Sequence, residues 1–377
     1  MNSSIYIHIP FCKQACFYCD FHFSTSLQKK DELLTCIRKE ITLRKNELAT
    51  PIVETIYFGG GTPSLLTLKE IDAIINTIYE NFQVVEQPEI TLEANPDDLS
   101  EEKIIQLSKS QINRLSIGIQ SFFEHDLKLM NRAHNADEAK KCLEIATRYF
   151  TNISVDLIYG IPDCSNQQWL QNIETALSFG IPHISSYALT VEAKTALESF
   201  IKKGIIKNVD EEKAQEQFYV LIDKLEEAGF VNYETSNFGK EGFFSKNNTA
   251  YWLGKPYLGI GPSAHSFDGN QRSWNVRNNS KYCKSITEGK LPIERELLTK
   301  TDQYNEYIMT GLRTIWGVSF EKIERDFGKN YVDYLKMQSK KYIEQDLLYL
   351  NNQILKTTKQ GKFLSDGIAA DLFKLNL

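Results

Sequence analysis

Three cysteines fall within a few residues of one another near the start of the chain, in His8-Ile-Pro-Phe-Cys12-Lys-Gln-Ala-Cys16-Phe-Tyr-Cys19-Asp20-Phe21. The spacing C-x3-C-x2-C puts three soft thiolate ligands on one short loop. Such a loop can bind three irons of a cubane. The fourth iron is then short of a protein ligand and open to an exogenous one. The same residues also read as a structural zinc site of Cys3His type, with His8 or His22 as the fourth ligand. Zinc-binding pairs usually come twice, and no second pair follows here. The spacing therefore favours the cluster but leaves both chemistries open. The other four cysteines (Cys36, Cys142, Cys164, Cys283) are scattered and the total of seven is odd. That pattern fits a metal site in a reducing cytosol better than a disulfide framework.

A second set of residues could serve a small charged ligand beside those thiols. Gly59-Gly60-Gly61-Thr62-Pro63 lets backbone approach a ligand closely and exposes amides and carbonyls to it. Glu93, in Leu-Glu-Ala-Asn-Pro, could hold an ammonium. Gln120 follows Ile-Gly-Ile, and Arg132, in Met-Asn-Arg-Ala-His, could pair with a carboxylate. Asp156, in Val-Asp-Leu-Ile-Tyr-Gly, could accept from ribose hydroxyls. Taken singly, each is an ordinary polar residue; their common placement makes them a group.

That placement comes from the elements around them. Short β-rich runs at residues 5–9, 53–58, 89–93, 114–119, 153–159 and 184–189 alternate with helical patterns at 30–47, 68–82, 100–110, 136–149 and 167–179. Ser100, followed by Glu101 and Glu102, reads as a helix start with acids in its first turn. Six βα units predict a parallel α/β sheet with right-handed crossovers. Six is too few to close an eight-stranded barrel, so an open, partial (β/α)6 TIM-type barrel is expected. Chemistry in such folds gathers where strands end, which is where each singled-out residue falls. A helix at 211–227 and a loop-rich stretch at 232–279 come next. A mostly helical tail follows from about residue 300, with a small β element near 361–365. The division expected is 1–230 for the barrel, 231–290 for a connecting region and 291–377 for a smaller C-terminal domain.

The 377 residues carry a formal net charge of −6 with both signs mixed along the chain. No long basic run is present, which argues against general nucleic-acid binding. The start, MNSSIYIHIPFC, lacks the charged and apolar regions of a signal peptide. No run approaches the ~18 consecutive apolar residues that span a bilayer. A cytoplasmic protein is expected.

The Cys-x3-Cys-x-Tyr-Cys loop after Tyr-Ile-His-Ile-Pro-Phe, with GGGTP behind it, resembles the radical S-adenosylmethionine superfamily. More narrowly, the chain is similar to the oxygen-independent coproporphyrinogen III oxidase-like group. The likeness includes Tyr233-Glu-Thr-Ser-Asn-Phe238, Tyr257-Leu-Gly-Ile-Gly261 and Phe363-Leu-Ser-Asp-Gly367. It implies the partial barrel with a helical C-terminal domain, and a [4Fe–4S] cluster on Cys12, Cys16 and Cys19. It also implies S-adenosylmethionine contacts at Tyr6, the Tyr18 backbone, Gly60, Gly61, Thr62, Glu93, Gln120, Arg132, Asp156 and Ala188.

Two branches of that group differ in function. One decarboxylates coproporphyrinogen III to protoporphyrinogen IX; the other binds haem and delivers it to apo-proteins. The decarboxylase branch carries one more cysteine two residues past the cluster motif, where this chain has Phe21, so the resemblance points to the haem-chaperone branch. That branch carries His-Asn-x-x-Tyr-Trp, where this chain has Asn247-Asn-Thr-Ala-Tyr251-Trp252. An amide is a poor axial ligand for haem iron, so His265 is the next candidate, ahead of Cys283 and Tyr251. Tyr251 and Trp252 would supply an aromatic wall. The partners implied are haem or a porphyrin, an electron donor of flavodoxin or ferredoxin type, haem-accepting respiratory proteins, a peripheral membrane contact and a second copy of the chain.

Overall fold

The apolar runs become six parallel strands in a computed structural model that describes residues 2–48 and 50–375. They are β1 (Ser3–Ile9), β2 (Ile52–Gly60), β3 (Gln83–Ala94), β4 (Arg114–Gln120), β5 (Ile153–Tyr159) and β6 (His183–Ala188). They lie side by side in chain order. Every residue of β4 is buried, as expected of a parallel strand covered on both faces. Pairing sets Ile9 opposite Gly60, Glu93 opposite Ser116 and Tyr159 opposite Ala188, so the strand ends share one rim.

Amphipathic helices Lys30–Leu43, Leu68–Asn81, Glu101–Ser108, Ala136–Tyr149 and Asn166–Ser178 separate the strands, and Glu211–Glu227 follows β6. Capping fixes where they start. Thr67, Asn135 and Ser165 form capping boxes with Glu70, Glu138 and Gln168, and Ser100 accepts from the Lys103 amide as its sequence suggests.

The loop-rich reading of 232–279 is corrected. This stretch holds β8 (Asn237–Gly239), β9 (Tyr257–Ile260), β10 (His265–Phe267) and β11 (Gln271–Asn275), with β7 (Val231–Glu234) across its start and helix Lys246–Trp252 within it. These strands are too short, and too interrupted by Gly and Asn, to show a period of two. They extend the sheet at both ends. β8 and β7 add antiparallel beside β6, and β9 adds parallel beside β1, followed outward by β10, β11 and β12 (Ile293–Leu297).

A buried hub locks the β9 side. Glu40, fully buried, accepts from Arg44 Nη1 (3.0 Å), the Gly261 amide (2.8 Å), Asn275 Nδ2 (2.7 Å) and the Tyr282 hydroxyl (2.6 Å).

One hydrophobic core runs from Ile5 to Ile286 and a second from Tyr304 to Leu372. The second belongs to the C-terminal helices Lys300–Leu312, Phe320–Phe327 and Lys329–Glu344, with a small sheet of β13 (Val318–Ser319), β14 (Leu348–Asn351) and β15 (Ile354–Thr357). The β element expected near 361–365 is corrected: Thr358 caps a helix at Lys359–Phe363. The nearby hairpin turns earlier, at Asn352 and Gln353. Both have positive φ, as a two-residue type I′ turn requires. Among the described residues, no helix is long and apolar enough to cross a membrane.

Candidate metal and cofactor site

The loop after β1 carries the three thiols to the shared rim, and its backbone fixes it there. The Cys12 amide donates to Ser24 O (3.1 Å) and the Phe17 amide to Met130 O (3.1 Å), while Leu197 N donates to Phe17 O (2.8 Å). Phe17 meets Phe200 edge-on at 5.0 Å. Arg277 donates to Asp20 O, and His22 Nε2 lies 2.7 Å from Asn279 Oδ1. The glycine run after β2 lies directly against this loop. Gly61 N donates to Ile9 O (2.9 Å) and Thr62 N to Phe11 O (2.7 Å). A Cβ on Gly61 would sit 2.6 Å from Phe11 O, and one on Gly60, at φ +110°, 2.6 Å from the His8 ring. These glycines thus serve first to let two stretches of backbone touch.

Above the sheet the rim encloses a cleft of about 160 Å3. Cys12, Cys16, Cys19, Tyr18, Gly60, Gly61, Thr62, Glu93, Gln120, Arg132 and Asp156 all line it. Tyr6 and Ala188 do not. Tyr6 stacks on Tyr57, with centroids 6.0 Å apart, and its hydroxyl lies 3.3 Å from His8 Nδ1. Ala188 ends β6, half-buried.

Two carboxyls in the cleft are held above their ordinary range. Withdrawal from water raises Glu93 to about 7, and the Asp156 charge adds to this. The Tyr57 hydroxyl (2.8 Å) and the Gly60 amide (3.2 Å) pull it back in part. Asp156 rises to about 6, again chiefly by desolvation, with Ser185 and Ser116 hydroxyls and the Arg114 charge opposing. Two acids poised to ionise near neutrality suit a cationic ligand. Gln120, at φ 68°, holds a left-handed backbone beside a break in β4–β5 register. Such strain is characteristic of functional rims.

Arg132 faces the thiols. Its Nη1 lies 3.3 Å from Cys16 Sγ, its Nη2 donates to Asn95 Oδ1 (2.7 Å) and Gly118 O (2.8 Å), and its buried Nε has no partner. Burial pushes the Cys12 thiol up, partly offset by a hydrogen bond from Thr62, and pushes Cys19 to about 11. Bound iron would reverse that, because coordination takes the thiolate.

The donor set fits a cluster better than a single ion. Among the described residues, no three His, Cys, Asp or Glu side chains converge on one metal position. Both histidines that could complete a zinc site are engaged: His8 Nε2 lies 3.0 Å from His22 O, and His22 is held by Asn279.

The sequence did not single out Asn95, Arg114, Ser116 or Gly118. Asn95 sits two residues past Glu93 and before a proline, where an asparagine carries no signal of its own. Arg114 is almost fully buried at the start of β4; a lone arginine at a strand start carries no signal for such a position.

Position 247 is an interior one. Asn247 is buried, accepts from the Thr55 hydroxyl of β2 (3.0 Å), and its amide donates to Glu89 Oε1 (3.2 Å). Tyr251 and Trp252, one turn on, line a different and larger cavity of about 630 Å3. Tyr257, Phe267, Tyr307 and Trp316 share its wall, and it lies between the sheet and the C-terminal helices. His265 is exposed, 6.0 Å from the Trp274 ring, and does not line that cavity; Cys283 is fully buried.

An open parallel sheet with a three-cysteine loop at its rim, backed by glycines and paired acids, defines a radical SAM core, and the chain belongs to the radical SAM superfamily. Residues 6–176 match that superfamily and residues 298–364 the HemN C-terminal domain. This architecture is consistent with binding a [4Fe–4S] cluster and S-adenosylmethionine. Within the superfamily the chain is HemW-like. It is 34% identical to Heme chaperone HemW of Bacillus subtilis over 371 residues, covering 97% of each chain. It is 30% identical to the mitochondrial Radical S-adenosyl methionine domain-containing protein 1 of Bos taurus, over 98% of this chain and 87% of that one. The solved structure of coproporphyrinogen III oxidase (HemN) from Escherichia coli superposes with a TM-score of 0.86, covering 99% of this chain and 90% of that one at 22% identity. That likeness establishes the fold alone.

Proposed function

We propose that this chain is a cytoplasmic haem chaperone that carries a [4Fe–4S] cluster on Cys12, Cys16 and Cys19, with S-adenosylmethionine on the fourth iron. The observation that supports this reading is the 34% identity with Heme chaperone HemW of Bacillus subtilis over 97% of both chains, joined to the three free thiols on one cleft wall. When bound, the cluster and its ligand supply one-electron cleavage of a sulfonium C–S bond. The protein's part is to bind and orient. Glu93 would receive the methionine ammonium, Asp156 the ribose hydroxyls, and Arg132, whose buried Nε has no partner, the methionine carboxylate. Gly60 and Gly61 keep the wall thin enough for close approach.

Haem is assigned to the aromatic cavity at the base of the sheet. Its volume falls in the range of small-molecule pockets, and Tyr251, Trp252 and Trp316 offer flat apolar surface to a macrocycle. Asn247 does not line that space; it is buried beside it, hydrogen-bonded to Thr55 and Tyr251. Among the described residues lining it there is no His, Cys or Met, and the phenols of Tyr251, Tyr257 and Tyr307 are its candidate axial donors. Flavodoxin- or ferredoxin-type donors and haem-accepting respiratory proteins are the partners this role requires. Against porphyrinogen decarboxylation stands Phe21, 69% exposed at the cleft mouth where the decarboxylase branch has a cysteine.

Haem titration of the anaerobically reconstituted chain tests the reading. Stoichiometric binding that weakens in Trp252→Ala and changes spectrum in Tyr251→Phe, while His265→Ala binds normally, is expected. No haem binding, together with release of CO2 from coproporphyrinogen III, would transfer the chain to the decarboxylase branch.

A further inference from the structure

The Arg132 side chain is committed before any cofactor arrives. Both protons of Nη2 are taken, by Asn95 Oδ1 and Gly118 O, and Nη1 points at the Cys16 sulfur from 3.3 Å. Asn95 is itself fixed: its amide donates to Ser64 Oγ (3.2 Å) and its Nδ2 to Thr62 Oγ1 (3.3 Å). Ser64 in turn donates to Asp98 at 2.7 Å. Glycine at residue 118 gives the guanidinium its room: a Cβ there would lie 3.2 Å from Arg132 Nη2 and 3.0 Å from Gln120 Nε2, and both side chains would have to give way. Among the described residues, Arg132 is the one charged side chain with a hydrogen bond to any of the three candidate ligand sulfurs.

We infer that Arg132 sets the reduction potential of the iron–sulfur centre through its hydrogen bond to Cys16, and that Asn95 is the positioning residue that keeps it aimed. This rests on the cluster reading above. Reduction adds one negative charge to the cluster core. A fixed cation and an N–H donor at one sulfur stabilise the reduced form more than the oxidised one, which raises the potential. A guanidinium keeps its charge throughout the accessible pH range, so the effect is permanent. The hydrogen bond itself goes to Cys16 alone, while the Arg132 charge also reaches Cys12, which has the Thr62 hydroxyl as its own hydrogen-bond partner. A residue that only clamped the cofactor's carboxylate would leave the potential of the cofactor-free cluster unmoved.

The experiment is an EPR-monitored redox titration of the full-length, anaerobically reconstituted protein without S-adenosylmethionine. It compares wild type, Arg132→Met, Arg132→Lys and Asn95→Ala at matched iron and sulfide content. Arg132→Met is expected to shift the reduction equilibrium at least tenfold toward the oxidised form, a fall of about 59 mV for one electron. Asn95→Ala shifts it the same way by less, and Arg132→Lys lies between, since it keeps the charge but loses the planar fork. Potentials in Arg132→Met and Asn95→Ala within twofold of wild type, about 18 mV, overturn the inference. If Arg132→Met holds no cluster, Asn95→Ala, which keeps both the thiols and the guanidinium, decides alone. A wild-type chain that takes up no four-iron centre overturns this and the cluster reading together. A normal centre indifferent to both residues overturns this one only.

Discussion

Glu93→Gln is expected to gain stability relative to the wild-type, cluster-free protein as the pH rises from 5 to 8. In the folded chain the Glu93 carboxyl holds its proton up to about 7, against an ordinary value of 4.5. The unfolded chain gives that proton up first. Between those values the unfolded state binds fewer protons, so stability falls as pH rises through the window. Undiscounted, the penalty amounts to about 3 kcal/mol at pH 8 and less than about 1 kcal/mol at pH 5. Glu93 lines an open cleft, and solvent there reduces the pH-dependent difference to about 1–2 kcal/mol. Glutamine removes this term. It keeps an acceptor for Tyr57 and forfeits one for the Gly60 amide, a pH-independent cost of about 1 kcal/mol. Thermal or urea unfolding of both proteins at pH 5 and pH 8 reads the effect: the variant gains on wild type with pH. The same substitution should abolish S-adenosylmethionine binding to the reconstituted protein, because the ammonium loses its counter-charge. A stability gap independent of pH, or one closing as pH rises, would refute the burial argument.

Gly61→Ala places a methyl 2.6 Å from Phe11 O, so the cysteine loop must move. Reconstituted iron and sulfide should fall several-fold while the far-ultraviolet circular dichroism stays native. Glu40→Leu leaves the buried Arg44 guanidinium with Glu47 as its remaining carboxylate and takes the acceptor from the Gly261 amide, Asn275 and Tyr282, a loss on the order of 3 kcal/mol. Its melting temperature should drop by several degrees, with weakened protection from proteolysis around residues 257–283.

Much of the rim was legible because strands of six or more residues alternating with helices announce a parallel sheet, and Glu93 and Gln120 stand at or next to strand ends, although Asp156 lies mid-strand and Arg132 beyond the helix after β4. The cysteine loop was legible from spacing alone. What escaped was set by contacts distant in sequence. Asn95 matters because Arg132 returns to it from 37 residues away. β9 is four residues of Tyr-Leu-Gly-Ile whose partner, β1, lies some 250 residues earlier, and no local period could reveal that pairing. Asn247 looked like a lost ligand when read as a motif letter. The fold turns it toward Thr55 and Glu89, and the chemistry at that position is internal hydrogen bonding.

The pairing of β1 with β9, and the grip of Arg277 and Asn279 on the loop after β1, set a timetable for biosynthesis. The segments that hold the thiol loop in place are made some 260 residues after the thiols themselves. At 5–20 residues per second that interval is roughly a quarter of a minute to a minute. For that time the nascent chain carries three unliganded cysteines on an unfinished edge. Iron delivery is therefore expected to follow release of the chain rather than accompany translation.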